Sequence, residues 1–157
     1  MRRLLPLLAL IALAACGAET EATAEPVPDL LRLSAPLVGG GEVDLTEYAG
    51  RPLLLWFWAP TCSVCRREAP MIAELAARLE GRAAVQGVAW SGDEASFQAF
   101  VDEFGFGFPS ISDPDGAVFA HFGITGQPAA VLVRADGSIT VARGAVEETA
   151  IVEALGL

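Results

Sequence analysis

The sequence predicts an α/β domain, a central mixed β-sheet flanked by helices on both faces with a β-hairpin extension at its N-terminal side. Three observations carry that prediction. Pro52 to Trp58 (PLLLWFW) is a continuous apolar run of strand length, as a buried central strand would be, and Ala84 to Trp90 (AVQGVAW) is a second candidate core strand. Apolar residues at helical spacing follow each of them. Near the C-terminus, Asp136-Gly137 separates two more strand-like segments, a strong hairpin signal.

Taken in order, the chain opens with an address. Met1-Arg2-Arg3 is a short cationic start, and Leu4 to Ala14 is apolar. That run is too short to span a bilayer, which takes roughly 17–25 residues, and it reads as a secretory signal. It ends Leu13-Ala14-Ala15-Cys16, which resembles the lipobox of bacterial lipoproteins, in which the cysteine is acylated. The alternative is an ordinary signal peptide with an incidental cysteine. On the lipoprotein reading residues 1–15 are removed and Cys16 carries the lipid. Residues 16–28 form a small, acidic, proline-containing tether, and 29–157 are the domain.

Within the domain, Leu30 to Leu33 and Glu42 to Leu45 flank a Gly-rich turn and read as a hairpin, with Ser34-Ala35-Pro36 and Gly39-Gly40-Gly41 as turn material. Cys65, Ala69, Ile72, Leu75, Ala76 and Leu79 share one face of a helix beginning near Cys62, with a kink expected at Pro70. Phe97, Phe100, Val101 and Phe104 place a second helix over 94–104, with Asp93 contributing to its cap. Asp113-Pro114-Asp115-Gly116 is a turn. Ala129 to Arg134 and Ser138 to Arg143 form the second hairpin, and Glu147 to Leu155 a last helix.

Composition narrows the function. The chain has 157 residues, 53% of them hydrophobic, enough for one globular domain and too many for disorder. Twenty acidic residues against ten basic ones, all arginine, give a net charge of −10. Nucleic acid is a poor partner for such a surface. Three cysteines and one histidine leave little for a metal site, and no cofactor is expected.

The chemistry centres on Cys62-Ser63-Val64-Cys65, at the junction of the apolar strand and the following helix. Residues three apart on a helix are neighbours, so the two sulfurs can meet in a small disulfide ring. The free N–H groups and dipole at a helix start also favour a thiolate on Cys62. Cys65, one turn in and on the apolar face, is expected to be buried and protonated until needed. The alternatives are an inert disulfide and half of a zinc site. So small a loop gains little from a crosslink, and only His121 and carboxylates remain as zinc ligands. His121 itself reads as a helix-surface or packing residue.

The segment Trp56-Phe57-Trp58-Ala59-Pro60-Thr61-Cys62-Ser63-Val64-Cys65-Arg66-Arg67-Glu68-Ala69-Pro70 resembles the active-site stretch of the thioredoxin superfamily. It is most similar to the exported TlpA/ResA/DsbE-like branch, a redoxin domain with a C-x-x-C-x-x-E-x-P pattern. Gly126-Gln127-Pro128-Ala129 resembles the cis-proline loop of that family. The resemblance implies a thioredoxin-like fold in which Cys62 is the exposed nucleophile and Cys65 the resolving thiol of a redox-active disulfide. It implies that Pro128 is cis and that the backbone of Gln127 pairs with an incoming peptide. Glu68 matches a family glutamate placed to relay a proton to or from Cys65, the alternative being a solvated glutamate paired with arginine. Two departures stand out: Thr61 where the family usually has Trp, and Trp56 where cytosolic thioredoxins carry a buried Asp.

The resulting expectation is a monomeric, lipid-anchored thiol–disulfide oxidoreductase on the outer face of the bacterial cytoplasmic membrane. Its partners would be extracytoplasmic protein thiols or disulfides and a membrane redox recycling partner. The wording of the two motifs leans to an oxidant for secreted proteins, against a reductase supporting cytochrome c maturation. A peroxiredoxin would need P-x-x-x-[ST]-x-x-C ahead of its cysteine, which neither Cys62 nor Cys65 has. A redox-inert lipoprotein binding module is the non-enzymatic competitor.

Overall fold

The structure, a computed structural model, describes residues 28–157. Its centre is a five-stranded mixed sheet in the order β5-β4-β3-β6-β7. The strands are β3 (Leu53–Trp58), β4 (Ala84–Trp90), β5 (Ser110–Asp113), β6 (Ala129–Val133) and β7 (Ile139–Arg143). β3 is the middle strand and every one of its residues is buried. It pairs in parallel with β4 and antiparallel with β6. The uninterrupted LLLWFW run is what a strand covered on both faces requires.

Successive residues of β3 point to opposite faces. Leu54, Trp56 and Trp58 pack on one side with α1 (Ser63–Arg78), α2 (Glu94–Phe104) and α4 (Glu148–Leu155). Leu53, Leu55 and Phe57 pack on the other with α3 (Ala117–His121) and the N-terminal hairpin, β1 (Ser34–Pro36) with β2 (Glu42–Asp44). α1 carries Pro70 in its interior without interruption. α2 begins with a reciprocal capping box between Asp93 and Ser96 and ends at Gly105, whose φ of +61° suits only glycine well.

The first hairpin departs from the sequence expectation. Its leading strand is Ser34–Pro36, paired with Glu42–Asp44, while Asp29–Leu31 is a 3₁₀ turn. Pro36 has no N–H to donate, and an edge strand tolerates that. The burial of Leu31 comes from the turn, not from a strand. Two elements also appear that the sequence reading leaves out, β5 and the short α3. The Asp113 carboxylate joins them, accepting the amides of Val118 (3.0 Å) and Phe119 (2.9 Å). The described chain starts at Pro28, whose ring lies against Gly137 in the β6–β7 turn.

Candidate active site

β3 delivers its chain, through Ala59, Pro60 and Thr61, to Cys62 at the start of α1. Cys62 is the N-cap, with extended backbone (φ −78°, ψ 108°). Its Sγ accepts the Cys65 amide at 3.1 Å, which occupies one of the donors a helix start leaves unpaired. A sulfur in that position is stabilised as the thiolate once the pair is reduced. The first turn of α1 holds no acidic residue, and Arg66 and Arg67 follow it. The Arg67 guanidinium donates to the carbonyl of Ser63 at 3.1 Å. Arg66 lies over the rings of Phe100 and Phe104 and pairs with Glu103 of α2, fixing the two helices together.

Cys62 and Cys65 are joined as a disulfide, with Cα atoms 5.3 Å apart. Cys62 is half-buried, whereas Cys65 is buried completely on the inner face of α1. The two sulfurs are thus unequal in access, one reachable and one shielded.

Glu68 lies one turn beyond Cys65 and is only 7% exposed. Both of its oxygens are held, Oε2 by the Trp56 indole N–H at 3.1 Å and Oε1 by the Val146 amide at 2.7 Å. It is therefore not the solvated, arginine-paired residue of the alternative reading. Burial pushes its carboxyl above the ordinary glutamate range, while the Val146 and Trp56 donors pull it back. Glu147 adds a smaller upward push and Arg67 a smaller downward one. Trp56 and Val146 are the members of this arrangement that sequence reasoning missed. They lie 12 and 78 residues from Glu68, and no local pattern links them to it.

The Gln127–Pro128 peptide is cis. The ladder pairs Phe57 with Ala129, which puts Pro128 beside the end of β3 that leads to Cys62. The Pro128 carbonyl accepts the Gly144 amide at 2.9 Å, so β7 supports the loop from behind. His121 is exposed at the end of α3, with Nε2 2.9 Å from the Leu30 carbonyl, as befits a surface residue. Among the described residues no cluster of three or more His, Cys, Asp and Glu side chains could hold a metal ion. Cys16, the expected lipidation site, lies outside the described residues.

A sulfur pair that caps the helix after the central strand, with a cis-proline loop at the same end of the sheet, defines a thioredoxin-like domain. Comparison with known proteins agrees. Residues 24–142 match the sequence profile of the AhpC/TSA family, and the chain belongs to that family. It is similar to the soluble secreted antigen MPT53 of Mycobacterium tuberculosis, 36% identical over 110 residues, 70% of this chain and 63% of that protein. The chain thus spans under two thirds of that relative's length. Among solved structures it resembles MTB dsbF, at 33% identity and a TM-score of 0.79, covering 83% of this chain and 98% of the other. It also resembles a secreted Mycobacterium tuberculosis disulfide oxidoreductase homologous to E. coli DsbE. That match has 30% identity and a TM-score of 0.75, and covers 81% of this chain and 96% of the other.

Proposed function

We propose that this protein is a thiol–disulfide oxidoreductase that exchanges disulfides with extracytoplasmic proteins through Cys62 and Cys65. The observation that carries the reading is the unequal disulfide, an accessible Sγ at the helix N-cap and a buried partner one turn on. In the oxidising direction a substrate thiolate attacks Cys62 Sγ. The Cys62–Cys65 bond breaks, and Cys65 leaves as a thiolate that takes up a proton. A second substrate thiolate then attacks its own sulfur in the mixed disulfide, and Cys62 leaves as a thiolate. The substrate loses two electrons and gains a disulfide, and the pair gains the electrons as two thiols. The reducing direction is the same sequence reversed.

Glu68 serves this cycle as the proton relay for Cys65, the sulfur that solvent does not reach. Pro128 and the backbone of Gln127 form the surface on which an extended substrate segment pairs. The resemblance to a secreted disulfide oxidoreductase supports action outside the cytoplasm, and the wording around both motifs supports the oxidising direction. The cysteine-ended apolar leader supports a lipid anchor at Cys16 on the outer face of the cytoplasmic membrane, with a membrane protein restoring the disulfide. No helix among the described residues is long and apolar enough to cross a membrane.

Equilibration of the purified chain with glutathione buffers tests direction. A potential near about −120 mV fits an oxidant and one near about −270 mV a reductant. Cys65→Ser is expected to accumulate a mixed disulfide through Cys62, and Cys62→Ser to form none. Failure of the first variant to trap any thiol partner sinks the reading.

A further inference from the structure

We infer that the Trp56 indole and the Val146 amide are positioning groups for Glu68, fixing both of its oxygens one helix turn behind Cys65 and setting the acidity at which it exchanges a proton. The inference deepens the relay reading of Glu68 and rests on it.

Trp56 is held by its neighbours. It pairs in register with Gly87 on β4 and Ala130 on β6, and the space over Gly87 is filled by the Trp58 indole and the Ser110 side chain. Trp58 stacks beside Trp56 at 6.2 Å between ring centroids, and Phe106 meets it edge-on at 5.9 Å. The ring is thereby held with its N–H on Oε2 of Glu68. An indole N–H and a backbone N–H donate and never accept. Both therefore favour the carboxylate, whose oxygens accept more strongly than those of the neutral acid. Burial works against the ionised form. Burial and the two donors thus act on Glu68 in opposite senses.

The charged surroundings are few. Glu147, in the segment ahead of α4, opposes ionisation of Glu68. Arg67, on its own helix, favours it. Beyond these, the Cys65 thiol is the titrating neighbour on α1 once the disulfide opens. β3 contributes Trp56 and no charge. The dipole of a single N–H is thus the main influence from the central strand.

Trp56→Phe keeps a ring in place and removes that N–H. With glutamate 13C-labelled at the side-chain carboxyl, the titration of Glu68 is followed by NMR in the intact oxidised chain. The midpoint is expected to rise by about one pH unit, a tenfold change in proton affinity, as loss of a hydrogen bond to a charged acceptor implies. The pH profile of disulfide exchange is expected to move by a similar amount. In a Glu68→Gln background Trp56→Phe is expected to leave the profile where it is. Benzothienylalanine at position 56, with the indole's shape but no N–H, reports the same quantity if the phenylalanine variant does not fold. An unmoved Glu68 titration overturns the inference. A titration that moves while the exchange profile stays fixed upholds the positioning by Trp56 and overturns the relay reading instead.

Discussion

The two faces of the central sheet use the same strand and do different work. On the α3 side Leu53, Leu55 and Phe57 meet Leu31, Leu45, Phe119 and Phe122, an apolar layer whose aromatic rings meet edge-on. On the α1 side Trp56 and Trp58 alternate with them and meet Cys65, Phe97 and Phe100. There the N–H of one strand indole, Trp56, is bonded to a buried carboxylate. The contrast extends to the two buried acids among the described residues. Asp113 accepts amides five and six residues ahead and is a local cap for α3. Glu68 gathers donors from the central strand and from the approach to α4, joining parts of the chain that meet only in the folded state. The first carboxylate is satisfied by its neighbours and stabilises a turn; the second is satisfied from afar and ties α1 to the central strand and the approach to α4.

The contrast can be broken most forcefully at Phe57. It is fully buried, and Phe57→Ala is expected to cost about 3–5 kcal/mol of stability. The reduction potential is expected to hold, since the ring faces away from the disulfide. Urea denaturation and glutathione equilibration check the two halves, and a shifted potential would mean that the quiet face is coupled to the site after all.

Glu68→Gln sharpens the other side. The folded protein holds the Glu68 proton more tightly than the unfolded chain does, because burial raises its affinity. The stabilisation linked to that group is fully present below the ordinary glutamate range and is lost as pH rises through the raised folded value. A glutamine has no proton to lose, so this part of the stability–pH curve is expected to flatten in the variant. Denaturation midpoints taken from about pH 4 upward measure it.

The sequence makes these faces legible only where periodicity speaks. β3, β4, α2 and α4 stand out because apolar spacing over six or more residues separates strand from helix. β5, reading SISD, is too short and too polar to show it, and α3 has five residues. Pro36 looks like punctuation and disguises β1, because nothing local says that its strand lies at an edge. The site divides in the same way. Cys62 and Cys65 declare themselves by their spacing at a helix start, and Glu68 by its match to the family pattern, whereas Trp56 and Val146 join them only through tertiary packing.

Smaller effects remain. Gln86 is fully buried, and neither polar atom of its amide has a partner among the described residues. Gln86→Met, similar in size and apolar, is expected to raise stability by about 1 kcal/mol, read as a higher urea midpoint. Arg66→Ala removes an exposed ion pair with Glu103 and two ring contacts. A loss of about 0.5–1 kcal/mol is expected, diminishing with added salt in a denaturation series.

The seat of Pro28 against Gly137 has a practical consequence. The β6–β7 turn follows Val133, which pairs with Leu53 at the beginning of the middle strand, while Cys62 lies past its finish. A strand of six residues extends about 20 Å, so the stem of the domain and its sulfur tip are set apart by that rod. A dye, a bead or a reporter domain grafted onto the stem would leave the tip clear for a docking polypeptide.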